Sequence, residues 1–235
     1  SVLAGEGQSM ERDYDYSVSR HFSDLRSAKE IGTSAANKTL KRLNPKKIKS
    51  SKLPVVFDKR ISNGLIGYLA GAISGPSIAR GTSFLKDSLG KQIFKKDVTI
   101  IDDPGINRGL GSKPFDGEGI QVSKKEIVSN GKLNTWILNT STAKKLNFKT
   151  TGIASRSVGA PPGVSTSNFF MTNGIMSYED MIKSIKYGFY ANELIGMGVN
   201  LVTGDYSMGA SGMLIENGEI THAVSEVTIA SNLTE

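Results

Sequence analysis

The side chains that most often carry chemistry are scarce in this sequence of 235 residues. It contains two histidines, His21 and His222, and no cysteine. Composition alone therefore excludes a thiolate zinc site, an iron–sulfur cluster, a disulfide framework, a cysteine nucleophile and a multi-histidine metal centre. Neither histidine shares a segment with a serine-nucleophile motif such as Gly-x-Ser-x-Gly. We expect both to be surface or partly buried imidazoles.

Carboxylates are the remaining candidates for metal binding or acid–base chemistry, and two pairs of them lie in turns. Asp102 and Asp103 precede a Pro-Gly pair, and Asp116 and Glu118 lie within Phe115–Gly119. Such pairs can bind a hard cation or exchange protons. Asp is also favoured in turns because its side chain accepts hydrogen bonds from backbone N–H groups. The structural interpretation is favoured for the first pair, and both interpretations stay open for the second.

A basic cluster indicates a possible nucleic-acid surface. Lysine and arginine number 29 against 22 acidic residues, which gives a net charge of +7. The cluster Lys38–Lys52 consists of Lys38, Lys41, Arg42, Lys46, Lys47, Lys49 and Lys52. Clustered cations can neutralise phosphates, but no aromatic residue interleaves with them, and lysine near a helix C-terminus also complements the helix dipole. We therefore do not expect a nucleic-acid partner.

Helices that would position these residues are predicted from caps and periodicity. Ser27 and Glu30 form a capping box, which predicts a helix that ends before Pro45. Small and apolar residues predict a second helix over Asn63–Ile73, closed by Ser74-Gly75-Pro76. Ser177 is the predicted N-cap of a third helix.

Strands account for most of the remaining pattern. They are predicted over Ser1–Phe22, Leu53–Phe57 and Val98–Ile101, with hairpins over Glu126–Thr140 and Met213–Val227. Each hairpin turns at an Asn-Gly pair, which suits a type I′ turn because both central residues need positive φ. The two hairpins have the similar sequences EIVSNGKL and LIENGEI, which indicates an internal duplication. The predicted class is α+β, with a predominantly antiparallel or mixed β-sheet and a few helices.

No membrane-spanning or export segment is predicted. The longest apolar run, Gly64–Ile73, is much shorter than the ~18–20 residues that a spanning helix needs. The first residues do not form a basic segment followed by an apolar segment, which is the pattern of a signal sequence. Because it begins at Ser1 inside a strand-like stretch, we expect it to be part of a longer cytoplasmic protein.

Several segments, in order over nearly the whole chain, resemble the TldD/PmbA family, whose members were once called modulators of DNA gyrase. They are Glu11–Tyr14 with His21–Leu25, Gly81–Leu85 with Leu89-Gly90, Pro114–Gly119, Gly204–Ser207, Ile215–Gly218 and Val224–Ala230. The resemblance implies that residues 1–235 are the C-terminal domain of such a protein, without its N-terminal domain and a short C-terminal tail.

The family contains two types of subunit. In the TldD type, a helix carries His-Glu-x-x-x-His, in which two histidines bind the metal of a metallopeptidase and the glutamate is its general base. Alignment without gaps from Arg80–Ser83 places Ile66, Gly67 and Gly71 at those three positions. None of them can bind a metal or accept a proton. The chain therefore resembles the other type, PmbA (TldE), and we expect no metal in it and zinc in a TldD-like partner.

The resemblance also implies partners and a substrate. It implies a homodimer when the protein is alone and a heterodimer with a TldD-like metallopeptidase subunit, acting on small or unfolded peptides. Asp116, Glu118, Asp205 and Tyr206 are candidates for the wall of a peptide cleft, where a peptide could bind as an extended strand. The alternatives are an independent metallopeptidase-family homodimer with its own activity, and a nucleic-acid-associated module that uses Lys38–Lys52.

Overall fold

The computed structural model describes residues 1–7 and 9–234. In chain order its elements are β1 (Val2–Ala4), β2 (Glu11–Asp13), α1 (Ala28–Arg42), β3 (Val55–Phe57), α2 (Asn63–Ala72), α3 (Gly75–Arg80), β4 (Ile100–Asp102), β5 (Lys125–Ser129), β6 (Lys132–Leu133), α4 (Thr140–Lys145), β7 (Ala154–Ser155), β8 (Gly163–Val164), β9 (Phe169–Met171), α5 (Tyr178–Lys183), β10 (Tyr187–Ile195), β11 (Asp205–Glu216) and β12 (Glu219–Asn232). The predicted α+β class with antiparallel and mixed sheets is confirmed.

The chain divides into two compact units. Unit 1 consists of Ser1–Ser62, Ile175–Gly198 and Tyr206–Ser231. Unit 2 consists of Asn63–Gly174, Val199–Asp205 and the last residues from Asn232. No helix of the described residues is both long enough and apolar enough to span a bilayer.

Unit 1 is built on a sheet with the strand order β12-β11-β10-β3. Strand β10 is antiparallel to β11 and parallel to β3. Because neighbouring residues of a strand point to opposite faces, Leu214 and Ile215 of β11 enter different clusters. Leu214 packs with Phe189 on one face, and Ile215 packs with Val56 and Ile182 of α5 on the other. The sheet is thus covered on both faces, and the β1-β2 hairpin packs against α1.

Unit 2 has one continuous apolar core. Its sheet has the order β6-β5-β4-β9 and is antiparallel throughout, and β7 and β8 form a separate two-stranded sheet. Ile127, Leu133 and Ile137 are at most 2% exposed and pack with Leu69 and Ala72 of α2. Helix α2 is therefore fixed by its apolar side chains.

The predicted caps and tight turns are confirmed. The Ser27 hydroxyl accepts from the Glu30 N–H in a complete capping box, and Ser177 accepts from the Asp180 N–H. Asn130 and Asn217 have φ of 48° and 51° and are followed by glycines with positive φ, as a type I′ turn requires. Each hairpin lies at the edge of its sheet, and its first strand pairs antiparallel with the strand before it in the chain, in β4-β5-β6 as in β10-β11-β12. The fourth strands differ, because β9 is antiparallel to β4 and β3 is parallel to β10. The internal duplication stays a prediction.

The continuous strand predicted over Ser1–Phe22 is wrong, because only β1 and β2 are extended and paired there. Gly5, with φ +102°, turns the chain after β1. Beyond β2, the carboxylates of Asp13 and Asp15 accept from the N–H groups of the residues that follow them. These local hydrogen bonds replace a sheet ladder, and polar–apolar alternation alone does not reveal them.

Helix α2 ends at Ala72, just before the predicted stop at Ser74-Gly75-Pro76. The same three residues also start α3, which was not predicted, and its first turn tolerates proline because the N–H would be unpaired in any case. The C-terminal boundary of the first predicted hairpin is corrected. The return strand predicted as far as Thr140 is only Lys132–Leu133. After it, Ile137 leaves the hairpin and donates its N–H to Ile73 O at 3.0 Å.

Candidate functional site

Helix α2 carries Ile66, Gly67 and Gly71, the three positions that the family resemblance aligns with the metal motif. Ile66 is half-buried and packs against the core of unit 2. Gly67 faces open space, whereas a Cβ at Gly71 would lie 2.9 Å from Leu201 Cδ1. Leu201 itself packs against the same core. A longer side chain at position 71 would therefore have to displace Leu201.

Asp116 is the most strongly held carboxylate of the acidic turn. It is 3% exposed. Its Oδ1 accepts from the N–H groups of Glu118 and Ile120 at 2.9 Å each, and its Oδ2 accepts from the Ala154 N–H at 3.0 Å. Burial alone would raise the pKa of Asp116, but the three backbone donors lower it below its usual value. This geometry fastens the turn to β7, so the structural interpretation accounts for Asp116.

Glu118 performs a related task at the start of α4. Its Oε2 accepts from the Thr140 N–H at 2.9 Å and from the Thr140 hydroxyl at 2.7 Å. Asn139 is the N-cap of the same helix and accepts from the Thr142 N–H at 2.9 Å. The two side chains together satisfy N–H groups that a helix leaves without partners in its first turn.

Asp205 and Tyr206 lie at the start of β11 but differ in exposure. Asp205 is exposed and accepts from Asn232 Nδ2 at 3.1 Å and from Thr203 Oγ1 at 2.5 Å. Tyr206 is 4% exposed. Asp116, Glu118 and Asp205 belong to unit 2, and Tyr206 belongs to unit 1. Of these four residues, Asp205 alone offers an exposed carboxylate.

Asp102 and Asp103 act within the fold. Asp102 is 2% exposed and accepts from the Ser167 N–H at 2.6 Å. Burial raises the pKa of Asp102 despite that hydrogen bond. Asp103 Oδ1 accepts from the Gly105 N–H at 2.8 Å, as expected for Asp in a Pro-Gly turn. The structural interpretation that the sequence favours for this pair is consistent with both contacts.

The two histidines belong to unit 1, whereas these carboxylate turns belong to unit 2. His222 is on β12, with Nδ1 3.3 Å from Thr221 Oγ1 and 4.0 Å from a Glu216 carboxylate oxygen. His21 precedes a short 3₁₀ turn, Phe22–Asp24, rather than ending a strand. Within residues 1–7 and 9–234, no group of three or more histidine or carboxylate side chains is arranged to hold a metal ion.

The basic cluster Lys38–Lys52 is partly neutralised by carboxylates of unit 1. Lys38 Nζ lies 3.2 Å from Asp15, and Arg42 Nη2 lies 2.8 Å from Glu193. Lys47 Nζ lies 2.9 Å from Glu226 on β12, in an exposed pair. These pairs reduce the positive charge that the cluster can offer to phosphates.

An ion-pair network in unit 1 was not predicted from the sequence. Arg60 Nη1 lies 2.6 Å from Asp13 Oδ1, and Arg60 Nε lies 3.2 Å from Asp58 Oδ1. The Tyr190 hydroxyl donates to Asp58 Oδ2 at 3.0 Å, and burial raises its pKa. The guanidinium carbon of Arg60 also lies 5.2 Å from the Tyr14 ring centroid. Asp13 and Tyr190 are distant in sequence from Arg60 and Asp58, and no local pattern marks them as partners.

Residues 50–235 match the family model described as the PmbA/TldA metallopeptidase C-terminal domain. The chain belongs to this metallopeptidase-related family. It is 43% identical over 232 residues, or 99% of its length, to the protein named metalloprotease PmbA from Escherichia coli O157:H7, of which it covers 50%.

Solved structures agree with the family and with the fold. TldE from Thermococcus kodakarensis matches with a TM-score of 0.87 and 25% identity, over 99% of this chain and 53% of that one. A Thermotoga maritima protein from the group named modulators of DNA gyrase matches with a TM-score of 0.89 and 32% identity, over 99% and 53%. The chain therefore spans about half the length of these relatives.

Proposed function

We propose that this chain is the subunit without a catalytic metal in a two-subunit peptidase, and that its partner is a TldD-type metallopeptidase subunit. The observation that carries the proposal is helix α2. The helix is present and firmly packed, but the aligned motif positions hold Ile66, Gly67 and Gly71. Zinc sites in proteins use imidazole, thiolate or carboxylate ligands. These three residues offer none of them and do not fit the metal of the family.

Packing around α2 supports the same proposal. Leu201 lies where a side chain on residue 71 would project, and Ile66 contributes to the apolar core. An apolar face of this kind stabilises the helix as a structural element. In this proposal the catalytic metal, its ligands and the general base come from the partner, and this chain contributes binding surface.

The proposed substrates are small or unfolded peptides. Among the cleft candidates, Asp205 is suited to contact a peptide directly, because its carboxylate is exposed and held by Asn232 and Thr203. Asp116 and Glu118 would act indirectly, by fixing the turns that shape the surface. Tyr206, being buried, would also act through packing.

Co-purification from the cytosol of the source organism tests the partnership. The tagged full-length protein is expected to bring down a chain with His-Glu-x-x-x-His in near-stoichiometric amount, identified by mass spectrometry. Sedimentation of the protein expressed alone is expected to show a homodimer. Recovery of the protein with no such chain would contradict the proposal and favour an independent homodimer with its own activity.

Substitutions in the assembled complex test the peptide-cleft residues. Asp205→Asn is expected to weaken peptide binding and raise KM, because it removes an exposed charge. Tyr206→Phe and Asp116→Asn are expected to change cleavage through the shape of the turns. Lys47→Ala, which breaks an exposed pair elsewhere, is the matched control. Unchanged cleavage in all three variants would refute the assignment of the cleft.

A further inference from the structure

The Asn-Gly pairs of the chain have a chemical consequence beyond turn formation. The glycine N–H that follows an asparagine can attack the side-chain Cγ, which closes a succinimide ring and releases ammonia. Water then opens the ring at either carbonyl and leaves aspartate or isoaspartate. Glycine favours the reaction because it has no Cβ to obstruct the approach. The pairs in this sequence begin at Asn63, Asn130, Asn173 and Asn217.

At the two hairpin turns the attacking group is already engaged. The Gly131 N–H donates to Val98 O at 2.7 Å, and the Gly218 N–H donates to Ile185 O at 2.9 Å. Ring closure there requires that these hydrogen bonds break and that the type I′ turn opens. Asn63 is the first residue of α2, and its backbone would have to leave the helical conformation. The fold therefore restrains ring closure at these three pairs.

The Asn173-Gly174 pair differs on each of these points. It lies between β9 and α5, outside any helix or strand, and both residues are exposed. Neither residue has a hydrogen-bond partner among residues 1–7 and 9–234, and a Cβ built on Gly174 meets no atom within 4 Å. The next residue, Ile175, is fully exposed. Thr172 before the pair is anchored by its N–H to Thr99 O at 3.0 Å.

We propose that Asn173 is a site of deamidation and isoaspartate formation in the folded protein. The reaction needs only water as co-reactant and converts a neutral amide into a carboxylate, which lowers the net charge of the chain by one. The isoaspartyl product also adds a methylene to the backbone between β9 and α5. This inference does not depend on the proposed peptidase partnership.

Peptide mapping of the full-length protein, incubated near neutral pH, tests the proposal. The expected result is that Asn173 deamidates about tenfold faster or more than Asn130 and Asn217, since each of those must first lose a hydrogen bond and its turn geometry. Asn168 precedes phenylalanine in the same tryptic peptide and is the internal reference. Deamidation at Asn173 no faster than at Asn130 and Asn217 would overturn the proposal.

Two controls separate the effect of structure from that of sequence. In concentrated urea the four pairs are expected to react at similar rates, because the restraints are removed. If Asn173 still reacts faster than the other pairs by the same factor in urea, the structural explanation is refuted.

Substitutions at the pair are the second control. Gly174→Ala has space for its methyl group and is expected to slow the reaction without changing the fold, whereas Asn173→Gln should abolish the product. Isoaspartate that still forms in this peptide of the Asn173→Gln variant would place the reaction at another residue.

Discussion

The two units of this chain use their charged residues in opposite ways. In unit 1, Asp13, Asp58 and Glu193 pair with buried or half-buried arginines, and the Asp13–Arg60 and Glu193–Arg42 pairs join segments that are distant in sequence. In unit 2, Asp116 and Glu118 bind backbone N–H groups, and stability comes from a continuous apolar core that includes α2. In both units, the carboxylates named here maintain the shape of the fold.

The largest effect is expected at Asp13 in unit 1. Asp13→Ala removes the carboxylate that faces Arg60 and Arg42 and leaves the buried Arg60 guanidinium with Asp58 as its remaining carboxylate partner. Removing one partner of a buried ion pair costs up to about 3–5 kcal/mol. Hydrogen exchange of unit 1 peptides in the full-length protein should show the loss of protection. Arg12→Ala, at an exposed pair with Glu193, is the control and should cost less than about 1 kcal/mol. Equal losses of stability in Asp13→Ala and Arg12→Ala would contradict the distinction between a buried and an exposed ion pair.

A core substitution in unit 2 should act through packing and not through charge. Ile127 is fully buried, and Ile127→Ala should cost about 2–5 kcal/mol through lost contacts and a cavity. Its effect on hydrogen exchange should be the same at low and high salt. A strong salt dependence would show that electrostatics also stabilises unit 2.

Asp116→Asn should have an intermediate effect, a loss of about 2 kcal/mol at neutral pH, because the amide nitrogen cannot accept from the backbone as the carboxylate does. The pKa of Asp116 is lowered in the folded state. The stability that Asp116 contributes is therefore present above the pKa of about 3.9 in the unfolded state. It is lost as the pH falls through the lower pKa of the folded state. Acid unfolding of the wild type and the variant should converge below that range. A constant difference at all pH values would contradict this explanation.

Asp102→Asn should have the smallest effect on the free energy of unfolding, and that effect should be opposite in sign to the effect of Asp116→Asn. Burial raises the pKa of Asp102, so the folded state favours the protonated form, and its stabilisation is lost as the pH rises through the folded value. The amide oxygen can still accept from the Ser167 N–H. At neutral pH the variant should therefore be as stable as wild type or more stable by up to about 1 kcal/mol, as thermal unfolding would show. A loss comparable to that of Asp116→Asn would refute the contrast between the two carboxylates.

Local signals in the sequence predicted the elements with a short-range cause. The capping box at Ser27 and the turns at Asn130 and Asn217 depend on residues within a few positions, and all three are confirmed. The strand prediction over Ser1–Phe22 is wrong because Gly5 and short-range carboxylate contacts override the alternation of residue types.

Long-range contacts could not be predicted in the same way. Asp116 binds the Ala154 N–H across 38 positions, and Arg60 binds Asp13 across 47. The acidic turn looked equally suited to chemistry and to structure, and only the direction of its hydrogen bonds assigns Asp116 to structure. The alignment of Ile66, Gly67 and Gly71 with the metal motif rests only on the family resemblance, and it stays a prediction.

The most direct test of the central claim is the zinc content of the purified full-length protein, measured alone and after assembly with a TldD-type partner, with peptide cleavage recorded on the same samples. A subunit without a catalytic metal should hold no stoichiometric zinc and cleave no peptide alone, and the complex should hold about one zinc ion per heterodimer and cleave peptides. Stoichiometric zinc together with peptide cleavage in the isolated protein would contradict the proposed function and establish a peptidase that is complete in this chain.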